Sequence, residues 1–147
     1  MLAYASPTAI QETDDIQAQL VSQGIREIVI TYRGRPPVGI ALPQIQSPRN
    51  VAETFNDLRD LPHEEVWVAL LGSGNDLLGR YQVAKGGISE APFPPREVFI
   101  AALLANAAAV IMVHNHPSGR SQPSAEDREC TRGIGQASKL IGIPLID

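Results

Sequence analysis

The sequence predicts an α/β fold, a mixed, twisted sheet flanked by helices. Three observations lead there. Two apolar runs, Glu65 to Leu71 and Ala107 to Val113, have the length and composition of buried strands. The first is followed by a turn, Gly72-Ser73-Gly74-Asn75, and by a second candidate strand, Leu77 to Ala84, so the pair reads as antiparallel neighbours. Three segments, at Ser47-Pro48, Pro94-Pro95 and Ser124, carry the residues that start helices.

Taken in order, residues 1 to 12 are weakly patterned and read as a mobile tail. Asp14 to Ser22 predicts a short helix with Ile16 and Leu20 on one face, stopped by Gly24. Arg26 to Tyr32 and Val38 to Leu42 predict a hairpin across the turn Arg33-Gly34-Arg35-Pro36-Pro37, with both arginines solvated. Residues 1–46 therefore read as an N-terminal extension, a tail, short helix and β-hairpin, and 47–147 as the main domain. Ser47 caps a helix with proline at its first position, whose buried stripe is Val51, Phe55 and Leu58, and Pro62 ends it. Trp67 is expected as a core or sheet-face anchor, and neither Gly72-Ser73-Gly74 nor Gly86-Gly87 is followed by the pattern of a phosphate loop. A helix runs from Pro94-Pro95 to about Asn106, then the strand from Ala107, then a helix from Ser124 to about Leu140. Cys130 falls on the stripe of Ile134, Ala137 and Ile141 and is expected to pack rather than react.

Composition narrows the function. A chain of 147 residues, 44% hydrophobic and 19% charged, fits a globular domain with a real core. No apolar run is long enough to cross a bilayer, and no secretory leader is apparent. A single cysteine permits no intrachain disulfide, which fits a cytoplasmic location. A net charge of −4 without a run of Lys or Arg lacks the electrostatic footprint of a nucleic-acid binder.

The chemistry is concentrated at the end of the second apolar run, in His114-Asn115-His116-Pro117-Ser118-Gly119. Pro117 cannot join a sheet ladder, so the strand is expected to stop near His116. Side chains at i and i+2 share a strand face, which puts His114 and His116 together and Asn115 opposite. Ser124 caps the following helix, and Asp127, three residues on, can be folded back to the two imidazoles. Two histidines and one carboxylate, with a fourth position open to water, make a catalytic zinc arrangement. Each residue also has an ordinary reading: histidines at a strand rim, and Ser124 and Asp127 as a capping box. The combination is more specific than its parts.

That combination resembles the RadC family of the JAB/MPN (JAMM) metalloprotease-like superfamily. The superfamily pattern is an upstream Glu, then His-x-His, seven residues, and Ser-x-x-Asp. Here seven residues, 117 to 123, separate His116 from Ser124, and two separate Ser124 from Asp127. Pro95-Arg96-Glu97-Val98-Phe99 and Asn106-Ala107-Ala108-Ala109-Val110-Ile111 are also similar to RadC proteins, and the likeness covers roughly residues 47–147. It implies a JAMM/cytidine-deaminase-like α/β/α architecture and a zinc-dependent peptidase-like hydrolase acting on an amide or isopeptide bond. It implies Zn2+ on His114, His116 and Asp127, with Ser124 supporting the oxyanion. The upstream Glu would act as general base; Glu64 is the first candidate and Glu65 the second, since alternation allows only one to face the site. His63 is expected at the surface. Mn2+, Fe2+ or Ni2+ would suit the same ligands.

The implied partner is a peptide or protein substrate, ubiquitin-like conjugates among them. RadC proteins continue past a segment like Leu140 to Asp147 into another strand; its absence would expose a sheet edge open to the N-terminal hairpin or a second copy of the chain. The competing readings are a DNA-repair-associated role and a non-catalytic MPN-type scaffold. A contiguous His-Asn-His is not the scattered triad of the HNH nucleases, and one cysteine cannot supply the Cys-x-x-Cys of a zinc deaminase.

Overall fold

The structure, a computed structural model, describes residues 39, 41–86, 94–119 and 122–146. The chain divides into two units, 1–33 and 34–147, and every described residue belongs to the second. The expected tail, the helix at Asp14 to Ser22, and the strand at Arg26 to Tyr32 lie outside the described residues. Of the expected strand at Val38 to Leu42, only residues 39, 41 and 42 are described, and they carry a turn and irregular chain.

The elements are α1 (Pro48–Thr54) with a 3-10 turn (Asn56–Leu58), β1 (Glu65–Leu71), β2 (Leu77–Lys85), α2 (Pro95–Leu104), β3 (Ala109–His114) and α3 (Ala125–Ile141). The Ser47 side chain accepts the Asn50 N–H and Pro48 opens α1, as the sequence predicts. The helix is shorter than its apolar stripe suggested, because the chain tightens after Phe55 into the 3-10 turn. Gly142 takes the left-handed conformation, φ 79°, that closes α3.

Strand order is β2-β1-β3, with both pairs antiparallel. β1 is central and nearly all buried, whereas β2 is half exposed, which is why β1 reads as a continuous apolar run and β2 does not. The parallel component of the sheet is small. Leu145 bridges Val110 in parallel on the outer edge of β3, with Val110 N–H donating to Pro144 O at 3.0 Å and Ile146 N–H to Val110 O at 2.8 Å. Residues 144–146 thus cover part of the edge that the sequence left open.

Alternation along the strands sends successive residues to two cores. Val68, Leu70 and Val110 pack with Val98, Phe99, Ala102, Cys130 and Ile134 from α2 and α3. Ala69, Leu71 and Ala109 pack on the other face with Ile45, Phe55 and Leu58. Helical segments therefore cover both faces, giving an α/β fold. Burial, with the Asp127 carboxylate adding to it, pushes the Cys130 thiol up to about 11, so it is a packed and unreactive side chain. Ile141, expected on the same buried stripe, is the last residue of α3 and is 39% exposed. No helix among the described residues is long and apolar enough to cross a membrane.

A surface latch ties β2 to the α1 side. Arg80 donates to both carboxylate oxygens of Asp57, at 2.6 and 2.8 Å, and its guanidinium lies over the rings of Trp67 and Phe55 at 4.9 and 5.6 Å. The Arg80 hydrogen bonds hold the Asp57 carboxyl below its ordinary value of 3.8.

Two outcomes follow from this packing. Ile134 is fully buried between α3 and the sheet, so Ile134→Ala should lower stability by roughly 2–5 kcal/mol in urea unfolding. The folded Asp57 carboxyl is more acidic than the unfolded one, so its contribution is complete above pH 3.8 and is lost as pH falls through the lower folded value. The melting-temperature gap between the wild type and Asp57→Asn should close in that acid range and stay constant from pH 5 to 7. A gap that persists undiminished at the acid end would mean that the ion pair is not its source.

Candidate metal centre

The site forms where the sheet runs out. The β1–β3 ladder ends at the pair Val66↔His114, two residues before the strand stop expected from Pro117. His114 continues the face of Val110 and Met112, the face covered by α3. His116 lies past the strand, yet its ring meets that of His114: the two Nε2 atoms are 3.0 Å apart, with the rings edge-to-face and their centroids 4.5 Å apart.

Two imidazole nitrogens aimed at each other repel unless a proton or a cation lies between their lone pairs. Two nitrogens on one tetrahedral zinc stand roughly 3.3 Å apart, so the observed separation suits a shared metal ion.

Asp127 arrives from the first turn of α3. Its Oδ2 is 3.7 Å from His114 Nε2, and its side chain is 5% exposed. The capping box is complete: Ser124 Oγ accepts the Asp127 N–H at 3.0 Å, and Asp127 Oδ2 accepts the Ser124 N–H at 2.7 Å. Burial works to raise the Asp127 pKa. The bonds from Ser124, then the neighbouring His114 and His116, outweigh it and hold the carboxyl below its usual range. Asp127 is thus a cap and a buried anion beside an imidazole at once. The Ser124 Oγ thus accepts the Asp127 N–H while its hydroxyl also serves the Asp127 carboxylate.

The two glutamates separate as strand alternation requires. Glu64 precedes β1 and turns toward the histidines, its Oε1 lying 3.7 Å from His116 Nδ1. Donor atoms of Glu64, His114 and His116 all fall within 4.8 Å of one another. Glu65 turns away and is buried. It accepts the Trp67 indole N–H at 2.8 Å, lies 2.8 Å from His63 Nε2, and has Lys85 Nζ at 3.7 Å. The Trp67 hydrogen bond is the main cause holding its carboxyl below the ordinary value, with burial opposing it and His63 adding to it. His63 is partly exposed and is engaged with Glu65, outside the cluster.

The mutually close donor set is therefore Glu64, His114 and His116, and Asp127 joins it through His114. Glu64 approaches His116 from the Nδ1 side, away from the facing Nε2 pair, whereas Asp127 approaches Nε2 of His114. The two carboxylates thus meet different imidazoles, Glu64 that of His116 and Asp127 that of His114.

The sequence reading passed over Asn115. Its side chain accepts the Glu65 N–H at 2.8 Å and donates to the His63 carbonyl at 3.0 Å. The available signal was its parity: a residue between two site histidines, facing the other way, two residues before Pro117. Among the described residues, a groove of about 980 Å³ runs from the histidines along the outer side of β3, with Val51, Phe55, Ile111 and Val113 in its walls.

Comparison with known proteins agrees with this architecture. Residues 45–147 match the model of the RadC-like JAB domain. A UPF0758 protein of Salinibacter ruber is 44% identical over 105 residues, covering 71% of this chain and 45% of that protein. A UPF0758 protein of Pelobacter propionicus is 42% identical over 107 residues, covering 72% of this chain and 47% of its own length. The chain thus spans less than half the length of these curated relatives. With the family model covering the sheet, the capped helix and every residue of the histidine–carboxylate cluster, the chain belongs to the RadC family of JAB domains.

Proposed function

We propose that this domain is a zinc-dependent hydrolase of the JAMM type that cleaves an amide or isopeptide bond in a peptide or protein. The observation that carries the reading is the cluster of Glu64, His114 and His116, with Asp127 beside His114, drawn from three separate parts of the chain to the partly buried end of β3. His114, His116 and Asp127 are the residues that would hold the metal. Zinc suits their nitrogen and oxygen donors, and Mn2+, Fe2+ or Ni2+ would bind the same set. When bound, zinc supplies Lewis acidity and lowers the pKa of water from about 15.7 toward 7.

The protein's own groups do the rest. Glu64, which is half-buried and adjoins His116 without a place in the Nε2 pair, takes a proton from the attacking water and returns it to the leaving amine. The Ser124 hydroxyl donates to the oxyanion that develops on the carbonyl. Asp127 stays ionised at neutral pH because its bonds from Ser124 favour the anion, which keeps it available as a ligand. The groove beside β3 has a mixed lining, with apolar Val51, Phe55, Ile111 and Val113 among polar residues that include His114 and His116, and supports a peptide-like substrate.

The test begins with metal content. The purified chain should bind about one zinc ion, and the paired His114→Ala/His116→Ala variant should bind none. Glu64→Gln should retain that zinc and lose about 10²- to 10⁴-fold in turnover on an internally quenched peptide library and a lysine-isopeptide substrate. Zinc lost with Glu64→Gln would make Glu64 a ligand and overturn its assignment as base. A wild-type chain that binds no added zinc would overturn the hydrolase reading in favour of a scaffold.

A further inference from the structure

We propose that Asn115 is a positioning residue whose side-chain amide takes the place of the missing strand pairing beside Glu64 and so fixes where the Glu64 carboxylate starts. The proposal rests on Glu64 being the base and adds the device that aims it.

The antiparallel register pairs Val66 with His114. Continued by one and two residues, it would pair Glu65 with Asn115 and Glu64 with His116. That continuation does not occur: β3 ends at His114, and Pro117 brings no N–H. Backbone groups at the start of β1 would then lack a partner on this side. The Asn115 amide supplies one. Like a peptide group, it offers a carbonyl and an N–H, and it uses both, accepting from Glu65 N–H at 2.8 Å and donating to His63 O at 3.0 Å.

These two bonds flank Glu64. The His63 carbonyl belongs to the peptide plane before the Glu64 Cα, and the Glu65 N–H to the plane after it. From the β2 side, the Gly86 N–H donates to the Glu64 carbonyl at 2.9 Å. Both planes that set the direction of the Glu64 side chain are thus pinned. Glu65 reinforces the register, because its buried carboxylate is tied to Trp67 and His63 on the opposite face. A slip of one residue would exchange the faces of the two glutamates and carry Trp67 out of its core along with Glu65.

The substitution of side chain for backbone has a second consequence. It frees the backbone of residues 115 and 116 from the sheet, and the His116 ring can then fold onto His114 at 3.0 Å. A continued ladder would hold successive same-face side chains apart at the spacing of an extended chain.

The experiment uses the full chain and reads amide hydrogen exchange by NMR, zinc content and turnover. In Asn115→Ala, the Glu65 amide should exchange about tenfold or more faster, while the Val68 and Leu70 amides keep wild-type protection and zinc stays near one per chain. Asn115→Asp keeps the acceptor and loses the donor, so the Glu65 amide should stay protected; this variant serves also if the alanine form folds poorly. On a quenched peptide cleaved by the wild type, Asn115→Ala should lower kcat about tenfold to hundredfold with KM unchanged, and should cost nothing further in a Glu64→Gln background. General structural damage would instead cost the same in both backgrounds. Wild-type exchange at Glu65 in Asn115→Ala, loss of zinc, or an equal penalty in the Glu64→Gln background would each overturn the proposal. If Glu64→Gln itself loses zinc, the base assignment fails, while the exchange result still decides whether Asn115 holds the strand.

Discussion

The pairing of Val66 with His114 is the constraint on which the rest of the site depends. It is the last rung of a ladder that starts at Leu71↔Ala109 in the core, so its position is set by the packing of two buried strands. On one side of that rung, backbone hydrogen bonds decide where every side chain points. Past it, side chains take over: Asn115 closes onto the start of β1, and His116 turns onto His114. A cluster of four polar groups at the edge of an apolar core is expensive to assemble, because each must give up water for a partner. Here the core supplies the placement, and the partners are supplied by the cap, the amide and the neighbouring rings.

The capped start of α3 is the second anchor, and it does two jobs with the same atoms. Asp127 Oδ2 accepts the Ser124 N–H, which steadies the first helical turn, and faces His114 at 3.7 Å. Cys130 and Ile134, one and two turns further on, bury the helix against Val68, Leu70 and Val110. The position of the Asp127 carboxylate therefore inherits the rigidity of the core through one turn of helix. A carboxylate held this way needs little ordering to meet a partner, which is the physical content of preorganisation.

On the opposite face, Glu65 shows why adjacent glutamates have different fates. Its carboxylate is buried with the Trp67 indole and the His63 ring, while Glu64 stays half-exposed beside His116. The buried neighbour makes the register costly to change, and the partly exposed one faces the histidines. The Arg80 guanidinium over Trp67 closes the same face from the β2 side.

Much of this was legible in the residues. The strands at Glu65 and Leu77 and the capped helices at Ser47 and Ser124 follow local rules of polarity, cap chemistry and proline geometry, and those rules act within a few residues. The spacing of His114, His116, Ser124 and Asp127 was readable for the same reason, since each sits at a fixed offset from a strand end or a helix start. The tertiary structure alone decided the rest. Among the described residues, the sheet is antiparallel through its three strands, with a parallel bridge at Leu145, because partner choice depends on which edges are free once both faces are covered. It also decided that β3 stops at His114, that Asn115 replaces the backbone beyond it, and that Glu65 is claimed by Trp67 and His63. Those contacts join residues such as 65 and 115, distant in sequence, and no local preference encodes such a pairing; only the packed sheet brings them within hydrogen-bond reach.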